Sequence, residues 1–140
     1  MTGQETIVFV CQHGSAKSLI AMEYFNRYAA QRGVPLRAIS AGTEPDEAVP
    51  PEVVAGLAGD GFDVGGRTPL RATAELLARA VAIVSFGPDL DGLAPAGVPA
   101  HRWDDMPAVS DDYAAARDAI RARVSALLRE APPDRREAGS

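Results

Sequence analysis

The sequence predicts an α/β protein: a single domain of three layers, with helices covering both faces of a central four-stranded parallel sheet. Two short runs, Ile7–Val10 and Val81–Phe86, are apolar at almost every position and rich in β-branched or aromatic residues, the pattern of strands buried on both faces. Stretches of helical periodicity separate the candidate strands, which implies right-handed crossovers and parallel pairing. No repeat or composition shift marks a second domain. Residues 1–131 are therefore read as one catalytic domain, and 132–140 as a tail expected to lack order.

The elements follow in order. The first strand covers Thr6 to Cys11. From Ala16 to Arg32, Leu19, Ile20, Tyr24 and Tyr28 recur at helical spacing, and Met22 and Phe25 widen the stripe. Gly33 and Pro35 stop that helix. Arg37 to Ala41 reads as the second strand, ended by Gly42. A polar, proline-rich connection leads to a helix from Pro51 to Gly59, where proline suits the first turn. The glycine-rich stretch Gly61–Pro69 turns the chain. Thr73 can cap a short helix through Arg79. Val81–Phe86 is the third strand, and Gly87–Pro99 is an aperiodic loop. Ala100–Trp103 is the fourth strand, followed by the acidic turn Asp104-Asp105-Met106-Pro107 and a helix from Ser110 to Glu130.

Composition sets bounds. The chain of 140 residues, 46% hydrophobic and 24% charged, suits one soluble core. A net charge of −5 argues against a nucleic-acid surface. No membrane span or secretory signal is read, so the cytoplasm is the expected compartment. One cysteine excludes an intrachain disulfide and a zinc site of several cysteines. Neither His13 nor His101 has ligands grouped around it, so no metal and no organic cofactor is expected.

The stretch that organises the chain is the passage from the first strand through Cys11-Gln12-His13-Gly14-Ser15-Ala16-Lys17-Ser18 into the first helix. A strand, a small-residue loop and a helix N-terminus turn several backbone N–H groups toward one point. The helix dipole adds to them, and the result is a cradle for tetrahedral oxyanions. Gln12, His13, Gly14, Ser15, Ala16 and Lys17 are the candidate oxyanion-binding residues. Cys11 is read as a nucleophile at the floor. A thiol attacks as its thiolate, which the loop amides, the helix N-terminus, Lys17 and the hydroxyl of Ser15 or Ser18 all favour. A buried cysteine that merely packs is the bland alternative. Ligands of parallel sheets bind at the carboxyl ends of strands, where Cys11, Gly42, Phe86 and Trp103 all fall.

Val-Phe-Val-Cys, followed after five residues by a basic residue and serine, resembles the low-molecular-weight protein tyrosine phosphatases and their relatives, the thioredoxin-coupled arsenate reductases. Ser40-Ala41-Gly42-Thr43, Gly61-Phe62-Asp63-Val64 and Arg67-Thr68-Pro69 resemble further segments of that family. Trp103 before the acidic turn resembles the place of its Asp-Pro general acid. The resemblance runs from Thr6 to Leu128 and leans to the arsenate-reductase branch. It implies a low-molecular-weight phosphatase fold, catalytic roles for Cys11, Lys17 and Ser18, and an acid at Asp105 or, less favoured, Asp104.

Four departures shape the functional expectation. The family's loop arginine is Lys17, the only lysine among 14 basic residues, which offers a point charge instead of a fork. The loop asparagine is Gly14; beside it, His13 is read as a loop hydrogen-bonder, since a cradle thiolate needs no base. The relay cysteines after the third strand are absent, so a redox cycle at Cys11 requires an external thiol. Finally, no aspartate directly precedes Pro107. The resemblance and these departures together imply an arsenate reductase that uses one cysteine, serves arsenic detoxification, and is resolved by glutathione, mycothiol or a redoxin. Phosphate-ester hydrolysis through phosphocysteine is the alternative, and non-catalytic oxyanion binding ranks third.

Overall fold

The computed structural model describes residues 5–130, and the tail expected at 132–140 lies outside them. The elements are β1 (Glu5–Cys11), α1 (Lys17–Arg32), β2 (Leu36–Gly42), α2 (Pro51–Gly59), β3 (Leu70–Arg71), α3 (Ala74–Ala78), β4 (Ala82–Ser85), β5 (Ala100–Arg102) and α4 (Tyr113–Glu130). They build one parallel sheet in the order β3-β2-β1-β4-β5.

The period of two along β1 divides the core. Ile7, Phe9 and Cys11 face the layer of α1, α2 and α4, while Val8 and Val10 face α3 and the loop around Leu90. This is why the β1 run is apolar at successive positions: both faces are covered. Phe9 is fully buried at the centre, with its ring 5.9 Å from Phe25 and 5.9 Å from Trp103. Trp103 meets Phe86 edge-on at 5.5 Å, which ties the ends of β4 and β5 beside Cys11.

The sheet has five strands where four were expected. β3 is only two residues long and exposed, so it carries no alternation to read. Its pairing is created by the register, Ala41 with Leu70 and Gly42 with Arg71. The last helix starts at Tyr113 instead of Ser110, because Ala108–Asp112 is a turn and the Asp112 carboxylate accepts the Ala115 N–H at 3.1 Å. The Thr73 cap forms, accepting from Leu76 N at 3.1 Å. At the C-terminus of α1, Gly33 takes φ 67° and its N–H bonds Ala29 O. Among the described residues, no helix is long and apolar enough to cross a membrane.

Candidate active site

The loop between β1 and α1 is set down on the end of β2. Gly14 has φ 65°, and a Cβ on it would lie 2.7 Å from Gly42 N. Asparagine tolerates that backbone conformation, but here no side chain fits, which explains glycine at this position. Three backbone bonds then zip the following segment to the loop: Thr43 N to Cys11 O (3.3 Å), Glu44 N to Gln12 O (2.7 Å) and Asp46 N to His13 O (3.1 Å).

Cys11 is 7% exposed, and its Sγ receives the Gly14 N–H at 3.2 Å. Ser18 Oγ stands 3.0 Å from the sulfur and 2.7 Å from Ser40 Oγ, and Ser40 lies 3.3 Å from Gly14 O. Each hydroxyl has a single proton. A thiolate therefore accepts the Ser18 O–H and Ser40 donates to Ser18, whereas a thiol donates to Ser18, Ser18 to Ser40 and Ser40 to Gly14 O. Both donors to Sγ suit the attacking form. Ser40 belongs to this chain although its local sequence gave no sign of contact with Cys11.

Helix α1 begins at Lys17 with no side chain capping its N-terminus and no acidic residue in its first turn. Its amides are thus left for an anion. A cavity of about 290 Å³ opens there, lined by Cys11, Gln12, His13, Ser15, Ala16 and Lys17 of the loop. Phe86, Val53 and Val109 supply apolar wall, and Asp46 and Glu52 supply carboxylates. Lys17 Nζ also donates to Met106 O at 3.5 Å, linking the loop to the acidic turn. Gln12 is clipped to the Glu44 carboxylate at 2.7 Å. A larger cavity of about 450 Å³ lies between α1 and β2, but its Glu23 and Arg67 pair with each other and Cys11 does not line it.

The two aspartates expected as proton donors do not line the cavity that holds Cys11. Asp104 pairs with Arg102 at 3.0 Å and Asp105 with Arg123 at 2.7 Å. Asp46 does line it. Its carboxylate accepts the Ser15 hydroxyl at 2.7 Å and lies 3.3 Å from His13 Nδ1. Nothing local in Thr43-Glu44-Pro45-Asp46 marks it, since its place depends on the backbone zip to the loop. Among the described residues, no group of three His, Cys, Asp or Glu is placed to hold a metal ion.

The family model described as low molecular weight phosphotyrosine protein phosphatase matches residues 6–93. A comparison with curated proteins finds no significant match. Among solved structures, the chain is similar to an arsenate reductase from Archaeoglobus fulgidus, with 28% identity, a TM-score of 0.71, and coverage of 89% of this chain and 99% of that one. It is also similar to a low molecular weight protein tyrosine phosphatase from T. tengcongensis, at 19% identity and a TM-score of 0.70, covering 90% and 99%. A thioredoxin-dependent arsenate reductase from Corynebacterium glutamicum matches at 19% identity and a TM-score of 0.72, over 91% of this chain. This chain spans 62% of the length of that one.

Proposed function

The chain belongs to the low molecular weight phosphotyrosine protein phosphatase family, and from that premise we propose that it is an arsenate-reductase-like enzyme resolved by an external thiol. The observation that carries this reading is a sulfur with two hydrogen-bond partners, Gly14 N and Ser18 Oγ, at a cavity lined by Lys17 and by neither aspartate of the acidic turn. Attack by a thiol on arsenic needs the nucleophile and the cradle. Release of a poor leaving group from a phosphate ester needs a placed proton donor as well.

In this scheme the loop amides and Lys17 bind arsenate, and the Cys11 thiolate attacks arsenic. An oxygen leaves as water, taking a proton from the bulk or the oxyanion itself. An external thiol, giving up its proton, then attacks Cys11 Sγ. The sulfur–arsenic bond breaks with its electron pair going to arsenic, which falls from the +5 to the +3 state. A mixed disulfide remains on Cys11, and a second thiol removes it. The chain has one cysteine, so the electrons come from outside. Ser18 donates to the sulfur throughout its anionic stages. Glutathione, mycothiol or a redoxin would serve as the thiol.

Phosphate-ester hydrolysis uses the same cradle and is the second reading, supported by the family model itself. Against it stands Lys17, because a fork-shaped guanidinium fits the phosphoryl group better than an ammonium. Mass spectrometry of the protein with arsenate and a monothiol, beside a phosphate-ester assay, tests the choice. A Cys11–arsenic adduct or Cys11 mixed disulfide with arsenite release is expected. Ester hydrolysis without either species would discard the reductase.

A further inference from the structure

We propose that His13, oriented by Asp46, is the general base that takes the proton of the external thiol as it attacks Cys11 Sγ. The inference rests on the reductase reading above and names the residue that serves its second step.

His13 lines the same cavity as Cys11, two residues away in the loop. Its Nδ1 lies 3.3 Å from the Glu44 carbonyl oxygen and 3.3 Å from Asp46 Oδ1. A carbonyl oxygen only accepts, so Nδ1 carries the proton. In the neutral ring Nε2 is then left with its lone pair. The orienting group is itself fixed. Asp46 accepts the Ser15 hydroxyl, Ser15 is 1% exposed, and the Asp46 backbone N–H bonds His13 O. With side chains 53% and 37% exposed, His13 and Asp46 stand where a thiol arriving from solvent meets the cavity.

The charged groups around the ring come from three segments. Asp46 and Glu44 lie on the segment after β2, Glu44 engaged by Gln12. Glu52 at the start of α2 and Lys17 at the start of α1 line the shared cavity. Asp46 is the one in direct contact, and its carboxylate balances the charge the ring gains. The step balances: the thiol's sulfur bonds to Sγ, its proton passes to Nε2, and the Sγ–arsenic pair stays with arsenic. A small thiol has few thiolate molecules near neutral pH, so a base at the point of attack raises the rate, by ~10²-fold for an ordinary general base.

The test uses a probe that contains no arsenic. Cys11, the only cysteine, is converted by dithionitrobenzoate to its mixed disulfide. Release of thionitrobenzoate by 2-mercaptoethanol is then followed from about pH 5 to pH 8, the range in which histidine titrates. The aromatic thiol is the better leaving group, so attack falls on Cys11 Sγ. With His13 as base, release in the wild type rises and then levels off within that range. His13→Asn keeps a donor for Glu44 O and Asp46, so the loop clip survives. Its release should be ~10²-fold slower near pH 6 and rise about tenfold per pH unit without levelling. A His13→Asn profile that keeps the wild-type rate and bend overturns the inference. So does a wild-type profile that rises without a bend. Arsenate turnover is measured separately. A bend without arsenate reduction retains His13 as base and discards the reductase, whereas reduction without a bend does the reverse.

Discussion

Gly14 and Gly42 meet backbone to backbone, so that a Cβ on Gly42 would lie 2.5 Å from Gly14 N and one on Gly14 would lie 2.7 Å from Gly42 N. The contact seats the loop between β1 and α1 on the end of β2 and lets Ser40, two residues earlier, reach Ser18. Gly42→Ala should therefore push the loop off its seat. Overpacking of this kind costs ~1–3 kcal/mol, to be read from urea unfolding. Alkylation of Cys11 should fall in the same variant, because Gly14 N–H no longer reaches Sγ. Unchanged stability together with unchanged alkylation would show that the contact is not a constraint.

Ser18 is predicted to act on the sulfur directly. In Ser18→Ala, the thiolate loses a hydroxyl donor at 3.0 Å. Iodoacetamide alkylation at neutral pH should slow by ~10-fold, in line with the ~1.5 kcal/mol of a hydrogen bond to a charged group. Ser40→Ala should produce a smaller effect in the same direction, since it acts only through Ser18. An equal or larger effect from Ser40 would reverse the proposed direction of the chain.

Lys17 separates the two chemistries. Lys17→Ala should weaken protection of Cys11 by arsenate and by phosphate alike, because both anions lose one cation. Lys17→Arg should raise phosphate-ester hydrolysis while bringing little gain in arsenate reduction, since two parallel donors fit the phosphoryl transition state. Kinetics of both reactions on that variant decide it. A fall in hydrolysis from a substantial wild-type rate would favour the phosphatase.

A cluster that does not line the cavity sets a limit at high pH. Tyr24 is pushed up to about 12, chiefly by burial and then by the Asp60 carboxylate, and Tyr113 is raised by the same causes. Tyr113 donates to Asp60 at 3.3 Å, and Arg117 pairs with Asp60 at 3.3 Å, joining α4 to the end of α2. Phenols raised in the folded state contribute stability that is intact below their unfolded value of ~10. That contribution is lost as pH climbs toward about 12. Urea midpoints should fall over that window, and Tyr24→Phe, which cannot ionise, should flatten the decline. Equal slopes in the two proteins would remove Tyr24 from the account.

The core offers a simpler check. Phe9 is fully buried against Phe25, Phe86 and Trp103. Phe9→Ala should cost ~3–5 kcal/mol, read from denaturant unfolding, because the three rings cannot collapse into the space. A loss below ~1 kcal/mol would mean that the aromatic cluster repacks.

Local patterns in the sequence determined a great deal about this protein. The continuous apolar run of β1, the helical stripe of α1 ended by Gly33, and the Thr73 cap are properties of neighbours in sequence, and each was legible there. So was Cys11 at a strand-to-loop junction beside a lysine and a serine, because strand, loop and helix N-terminus follow one another in the chain. Tertiary structure alone decided the rest. β3 exists because Gly42 and Ala41 offer it a register. The acidic turn, next to the cavity in chain topology, directs Asp104 and Asp105 to Arg102 and Arg123. Asp46 reaches the cavity and His13 instead, although it lies 33 positions further along the chain. The reason is physical: periodicity and capping act over one or two turns of chain. Which carboxylate meets which ring depends on how separate loops are stitched together, here by three backbone hydrogen bonds between Cys11–His13 and Thr43–Asp46 that carry no signature in side-chain type.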